Sequence, residues 1–497
     1  MNDQIPTTST GQEEREFKRE LGLLDSTMIV IGSMIGSGIF IVSSDIARTV
    51  GSPGYLLLVW LITGIITITA ALSYGELAGM MPRAGGQYVY LREAYNPFVG
   101  FLYGWTLFLV IQTGTIAAVA VAFAKFTAVL IPWFSESHIL ISIGTFNFSA
   151  SKLLAIISIL VLTGLNIRGL HTGKVVQDIF TVTKTLALFG LILLGIFLGR
   201  NSSVIAANFS QLWNGSWTHM VDAKISSVIP LSGIMLFAAI GVAMVGSLFS
   251  SDAWNNITFT AGEVVNPKRT IPLSLFLGTA TVTIIYLLAN VAYLLVLPLP
   301  GNPDGADVYM RGIQFATSDR VGVAAASTIL GEPAAIVMAV FIMISTFGCN
   351  NGLILAGARV YYAMARDKLF FRKIGTLNTF SVPAVGLIFQ AAWASLLCLS
   401  GTYGDLLDYV VFAVLLFYIL TVIGIFRLRK IRPGAERPYK AFGYPILPAL
   451  YVIAAAGICI DLLIYKPQNS WPGFIIVLTG IPIYFIWTIL AARKNAG

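Results

Sequence analysis

Apolar side chains along this chain come in long runs, without the alternation or narrow stripes of a water-soluble fold. The runs fall at approximately 23–49, 55–81, 98–131, 151–167, 174–199, 227–251, 271–297, 334–364, 383–400, 403–427, 443–464 and 471–492. Roughly 20 apolar residues in a helix cross a hydrocarbon core about 30 Å thick. Inside that core every backbone N–H and C=O must be satisfied within the chain, which favours helices for runs of this length. The pattern predicts an all-α polytopic membrane protein with about 12 transmembrane helices. The third and eighth runs exceed 30 residues, so they must tilt or project beyond the bilayer.

Composition excludes the main alternative. Hydrophobic residues make up 57% and charged ones 11%, against about 25% charged in soluble domains, so an ordinary soluble enzyme is ruled out. The net charge of +8 would suit nucleic acid, but its placement argues otherwise. If the amino terminus is inside, 22 of the 31 Lys and Arg residues fall on the cytoplasmic side and seven outside; Lys125 and Lys184 lie within runs. That bias predicts an integral plasma- or inner-membrane protein with both termini cytoplasmic. The polar tail 1–20 lacks the pattern of a signal peptide. Three cysteines within or beside apolar runs and three scattered histidines give no disulfide framework, metal cluster or cofactor site.

Two runs carry a polar, glycine-rich defect. In the first, Gly32-Ser33-Met34-Ile35-Gly36-Ser37-Gly38 unwinds readily, since glycine costs about 1 kcal/mol against alanine inside a helix. In the sixth, Gly246-Ser247-Leu248-Phe249-Ser250-Ser251-Asp252 turns polar where apolar residues should continue. One such break would serve equally well for tight helix packing. Two, at matching places in two five-helix halves, form the pattern of an inverted-repeat transporter with its site between discontinuous helices. An unwound segment offers N–H groups to a carboxylate and carbonyls to an ammonium group, so the site chemistry points to a zwitterion. The expected organisation is a cytoplasmic tail at 1–21, a first repeat at 22–200, an outer loop at 201–226, a second repeat at 227–427, and helices 11 and 12 with a short cytoplasmic end at 428–497.

The residues themselves are recognisable. Gly36-Ser37-Gly38-Ile39-Phe40, Ser73-Tyr74-Gly75-Glu76-Leu77, Pro82-Arg83-Ala84-Gly85-Gly86 and Val176-Gln177-Asp178-Ile179-Phe180 appear in that order. Trp254-Asn255, Asn266-Pro267-Lys268-Arg269, Ser345-Thr346-Phe347-Gly348, Arg437-Pro438-Tyr439 and Gly443-Tyr444-Pro445 follow. With this order and spacing the chain resembles the amino acid–polyamine–organocation superfamily and, within it, the L-type amino acid transporter family, over nearly its whole length. The resemblance implies a leucine-transporter-type fold of five plus five inverted helices and two more, with helices 1 and 6 unwound within the membrane. It implies that Gly36, Ser37 and Gly38 offer N–H groups to a substrate carboxylate, that the carbonyls of Met34 and Phe249 take its amino group, and that the Phe249 ring gates the site.

Lys184 lies about ten residues into the fifth run, too deep to snorkel easily, and an ionisable residue there is a functional candidate. The resemblance makes it a fixed cation in place of the sodium ion of related carriers, bridging the first helix near Gly36 to the hydroxyls of Ser345 and Thr346. The expected function is sodium-independent secondary transport of amino acids, as exchanger or proton-coupled symporter. Two departures stand out. Animal members that pair with a glycoprotein carry a cysteine between helices 3 and 4, whereas Pro132–Ala150 has none, so no disulfide-linked partner is expected. The position often occupied by glycine in the sixth-helix break is Asp252, which suits a cationic amino-acid or polyamine carrier as an alternative. A membrane enzyme would need a denser set of acids, metal ligands or nucleophiles, a channel would need rings of like residues, and an amino-acid-sensing receptor a signalling domain.

Overall fold

Several helices start or stop at recognisable local signals. The chain is described by a computed structural model over residues 19–144, 146–221, 224–400 and 403–496. The first run is two helices, α1 (Leu23–Met34) and α2 (Gly38–Val50), bent by 42° at the break. Gly51 ends α2 in the left-handed conformation, which glycine adopts without strain. Then come α3 (Pro53–Met80), the short α4 (Gln87–Ala94), and α5 (Pro97–Thr106) continued through a π turn at Leu107–Ile111 into α6 (Gln112–Leu130). Ser52 and Asn96 accept hydrogen bonds from the N–H groups of Tyr55 and Val99, each with proline as the next residue; a polar cap followed by proline is a strong helix start.

The chain continues through α7 (Ala150–Ile167), α8 (Leu170–Phe197), α9 (Ser202–Ser210), α10 (Gly233–Ser250), α11 (Asn256–Phe259) and α12 (Pro267–Val296). The remaining helices are α13 (Val308–Arg311), α14 (Val321–Leu330), α15 (Glu332–Arg366), α16 (Ala384–Ser400), α17 (Tyr403–Ile431), α18 (Ile446–Tyr465) and α19 (Pro467–Ala496). Among the described residues ten helical stretches are long and apolar enough to cross a membrane, and the bent pair α1–α2 makes up to eleven. The run at 383–400 folds as α16, an apolar helix of 17 residues.

Two departures from the sequence reading have simple causes. The fold is not helical throughout: β1 (Ile139–Ile143) pairs antiparallel with β2 (Phe146–Ser149), and β3 (Ser216–Val221) with β4 (Lys224–Pro230). The second hairpin takes up residues assigned to the start of the sixth run, which becomes helical only at Gly233. Lys224–Pro230 is short, carries β-branched Ile225, Val228 and Ile229, ends in proline, and finds a cross-strand partner.

The broken helices lie at the centre. Helix α1 packs on α12, α8 and α15, while α2 packs on α10 and α14. At the Leu21 end, the N–H groups of Glu20 and Leu21 donate to the Glu263 carbonyl at 2.9 and 3.0 Å, and Val265 N–H donates to Leu21 at 2.8 Å. Glu263 in turn binds Arg359 of α15 at 2.8 Å, both side chains at most 2% exposed. At the opposite end, Arg48 of α2 grips the segment before α14, donating to the Gln314 carbonyl and to Asp319, each at 2.7 Å.

This second clamp makes a pH prediction. Burial works against ionisation of Asp319, but the Arg48 guanidinium outweighs it and holds the carboxyl below its ordinary value. A carboxylate with a depressed folded-state pKa stabilises the fold above about pH 4 and loses that contribution only as pH falls through the depressed value. Thermal unfolding of wild type and Asp319→Asn should therefore differ by a constant amount from pH 7 to about 4 and converge below. A gap already closing at pH 6 would show that another group controls the clamp.

Candidate substrate site

The last carbonyls of a helix have no partner within it, and those at the end of α1 and in the break after it are given partners by three other helices, α8, α12 and α15. Lys184 of α8 donates to the Gly32 carbonyl and, at 2.6 Å, to that of Ile35. The Cys349 thiol of α15 donates to Ser33 at 3.0 Å. Tyr286 of α12 donates to Met34 at 3.0 Å and also approaches the Ser250 carbonyl at 3.1 Å, so one hydroxyl spans both broken helices. Ser345 of α15 points at the carbonyls of Ile35 and Gly36, at 3.4 and 3.3 Å.

Electrostatics explain why a buried lysine is tolerated here. Lys184 is 1% exposed, and among the described residues no carboxylate forms a salt bridge with it. Its ammonium sits instead at the carboxyl end of α1, where the helix dipole concentrates partial negative charge. The amino end of α2 faces the same break with the opposite polarity. Gly36, Ser37 and Gly38 line that end, and its first N–H groups lie outside the intrahelical ladder. The structure thus brings Lys184, Ser345, Met34, Gly36, Ser37 and Gly38 together. It does not bring Thr346 into the cluster: that hydroxyl donates to Ile342 and Met343 on its own helix, at 2.9 and 3.0 Å.

The second break follows the same logic. Helix α10 ends at Ser250, whose neighbour Ser251 donates its N–H back to Ser247 and Leu248; Asp252 N–H reaches the Phe249 carbonyl at 3.2 Å. Ala253 then takes a left-handed φ of 64°, a conformation sparsely populated by residues other than glycine, before α11 restarts the helix. Phe249 is buried. Asp252 accepts a 2.6 Å hydrogen bond from Tyr418 of α17. It borders two narrow clefts, one lined by Ile66, Leu248, Val411 and Tyr451, the other by Gln87, Tyr103, Gln112 and Asn255.

The two broken helices touch at Gly38. A Cβ placed there would lie 2.7 Å from the Cβ of Ser250 and 3.0 Å from its Cα, so backbone would have to move. At Gly36 the contact is softer, 3.1 Å from the Cys349 sulfur. Gly38→Val is accordingly expected to abolish transport and to cost about 1–3 kcal/mol of stability through overpacking. Gly36→Ala is expected to do less, and Cys349→Ala in the same chain to relieve it. Uptake and unfolding temperature measured on the three variants check this order; wild-type uptake by Gly38→Val would sink it.

With this geometry in place, comparison with known proteins is decisive. The amino acid permease model matches residues 21–490. The chain belongs to the amino acid permease family. It is a member of the amino acid–polyamine–organocation superfamily, an integral membrane transporter of amino acids and not an enzyme. The serine/threonine exchanger SteT of Bacillus subtilis is 29% identical over 476 residues, covering 95% of this chain and 98% of its own length. The human large neutral amino acids transporter small subunit 2 is 30% identical over 488 residues, covering 98% of this chain and 83% of its own. The human b(0,+)-type amino acid transporter 1 is 27% identical over 490 residues, with 98% and 91% covered.

Several permease motifs turn out to hold the scaffold around the site. Glu76 of the Ser73–Leu77 motif, 1% exposed, binds Arg429 at 2.6 Å, Arg437 at 3.3 Å and the Ala441 N–H at 2.7 Å. Gly86, at positive φ, lets the chain approach Thr258 and Phe259, the Gly85 N–H donates to the Phe259 carbonyl at 3.1 Å, and Asn255 donates to Gln87 at 3.1 Å. Sequence reading missed Tyr286, Cys349 and Tyr418. A signal for the tyrosines existed, since a buried tyrosine hydroxyl in an apolar helix usually finds a partner, but nothing local says which.

Proposed function

We propose that this permease is a sodium-independent secondary transporter that moves amino acids by alternating access, as an exchanger or a proton-coupled symporter. The observation that carries the reading is the Lys184 ammonium seated on the Gly32 and Ile35 carbonyls, a fixed positive charge at the broken helix where a sodium-driven carrier would need an ion. The substrate carboxylate takes the N–H groups at Gly36, Ser37 and Gly38. Its ammonium takes the carbonyls of Met34 and Phe249, under the Phe249 ring. Tyr286 already donates to Met34, but a carbonyl has two lone pairs, so one stays available.

In this reading the bent pair and α16 each count as one span, giving about 12, with inverted repeats at 22–200 and 227–427. The charge bias of the loops supports both termini being cytoplasmic. The Glu263–Arg359 and Arg48–Asp319 clamps then close opposite sides of the site in turn. The loop after α6 has no cysteine, and Cys349, Cys398 and Cys459 are all buried, so this reading includes no disulfide-linked partner.

The test is counterflow into proteoliposomes preloaded with each common amino acid, in sodium or choline buffer, with and without a pH gradient. Absence of counterflow with every amino acid would refute the transport mechanism, and a sodium requirement would refute the role given to Lys184. A second reading, a carrier of cationic amino acids or polyamines, draws on Asp252: the carboxylate borders both clefts, and among the described residues Tyr418 is its hydrogen-bonding side chain while no basic side chain pairs with it. Chain length places it close to the break, because Ser250 touches Gly38 and two residues span at most about 7 Å. Asp252→Asn is expected to lower uptake of cationic substrates about tenfold or more and leave neutral ones nearly unchanged, as one lost charge-assisted hydrogen bond would. Equal effects on both classes would confine Asp252 to supporting Tyr418 and the fold.

A further inference from the structure

Away from the transport site, one cluster at a membrane boundary has no task in the mechanism. Helix α15 ends at Arg366, and the chain turns through Asp367, Lys368 and a short 3-10 turn at Arg372–Gly375 before α16. In this turn Phe371 stands 50% exposed, although its ring meets Trp487 of α19 at 5.1 Å and Phe389 of α16 at 5.8 Å. Trp487 also donates its indole N–H to the Lys368 carbonyl at 3.0 Å. The turn after α15, α16 and α19 are thereby tied together by aromatic side chains, and Phe389 remains 44% exposed.

Lys368, Arg372 and Lys373 lie on the same turn as Phe371, and all are exposed. The nearby acid, Asp367, is engaged by Arg92 and by the Tyr88 hydroxyl. Among the described residues no salt bridge neutralises any of the three cations. A tryptophan such as Trp487, with an apolar ring and a polar N–H, belongs at the level of lipid headgroups, and each cation held near an anionic membrane surface gains roughly 1 kcal/mol from it. A zwitterionic headgroup carries its own amine and satisfies this arrangement poorly. We propose that Lys368, Arg372 and Lys373, with Phe371, Phe389 and Trp487, form a binding site for an anionic phospholipid, phosphate on the cations and acyl chains along the rings. The site rests on membrane residence of the chain and is independent of the transport mechanism.

The experiment titrates the purified full-length protein in neutral detergent with phosphatidylglycerol or phosphatidylcholine and counts bound lipid by native mass spectrometry. Wild type should retain phosphatidylglycerol in preference. Arg372→Gln with Lys373→Gln should reduce that preference about tenfold or more, the effect of two headgroup charges at roughly 1 kcal/mol each. Arg372→Lys with Lys373→Arg should keep the preference, since charge is conserved. Phe371→Ala should weaken both lipids alike. No preference in wild type, or an undiminished one in the double glutamine variant, would overturn the site. Displacement of phosphatidylglycerol by millimolar inorganic phosphate would overturn the lipid assignment, by showing that a free anion suffices.

Discussion

Lys184→Ala should cut amino acid uptake by at least about a hundredfold while the protein remains folded and extractable. The ammonium satisfies two carbonyls at the end of α1, and leaving such acceptors unpaired in a buried site costs about 1–3 kcal/mol. Removing it also relieves the burial of a charge, so the net loss of stability should be small, a few degrees in unfolding temperature. Transport has no such offset. Without the cation the break loses the charge that holds the α1 carbonyls in place opposite α15. Uptake into proteoliposomes, read beside the unfolding temperature, checks both halves. Normal uptake would remove Lys184 from the mechanism, and global unfolding would make it a structural residue.

Glu263→Ala is expected to be the most destabilising single change. Glu263 and Arg359 form a buried pair, and deleting one partner strands the other charge away from water, typically at about 3–5 kcal/mol. The Glu263 backbone carbonyl also anchors Glu20 and Leu21 ahead of α1, so the damage should spread to the site. Substituting both residues, Glu263→Leu with Arg359→Met, should recover most of the stability, because no isolated charge is left. Unfolding temperatures of the single and double variants decide it; a double variant as unstable as Glu263→Ala would mean the pair is held by more than mutual neutralisation.

Much of the site was legible in the chain because its signals are local. Three glycines and two serines within Gly32–Gly38 weaken a helix wherever it sits, and α1 does stop at Met34. Lys184 stood out by its depth in an apolar run. Thr346 illustrates the limit: beside Ser345 in sequence, it has an equally suitable hydroxyl, yet helical geometry turns the two about 100° apart. One meets α1 and the other its own backbone. Asp252 likewise was visible as an unusual charge, while Tyr418, its partner from α17, lies 166 residues away.

Membrane residence, the approximate places of the helices, the two breaks and the polarity of the loops are determined by the sequence alone. Each depends on side chains within a few turns of one another, and burial in hydrocarbon leaves such segments few alternatives to a helix. The tertiary structure decided the partnerships: which carbonyl of α1 meets Lys184, Cys349, Tyr286 or Ser345, which arginine neutralises Glu263 or Glu76, and where the residues near 227 go. Those contacts join residues up to hundreds of positions apart, and their geometry follows from how the helices pack, where a rotation of one residue exchanges one facing side chain for another.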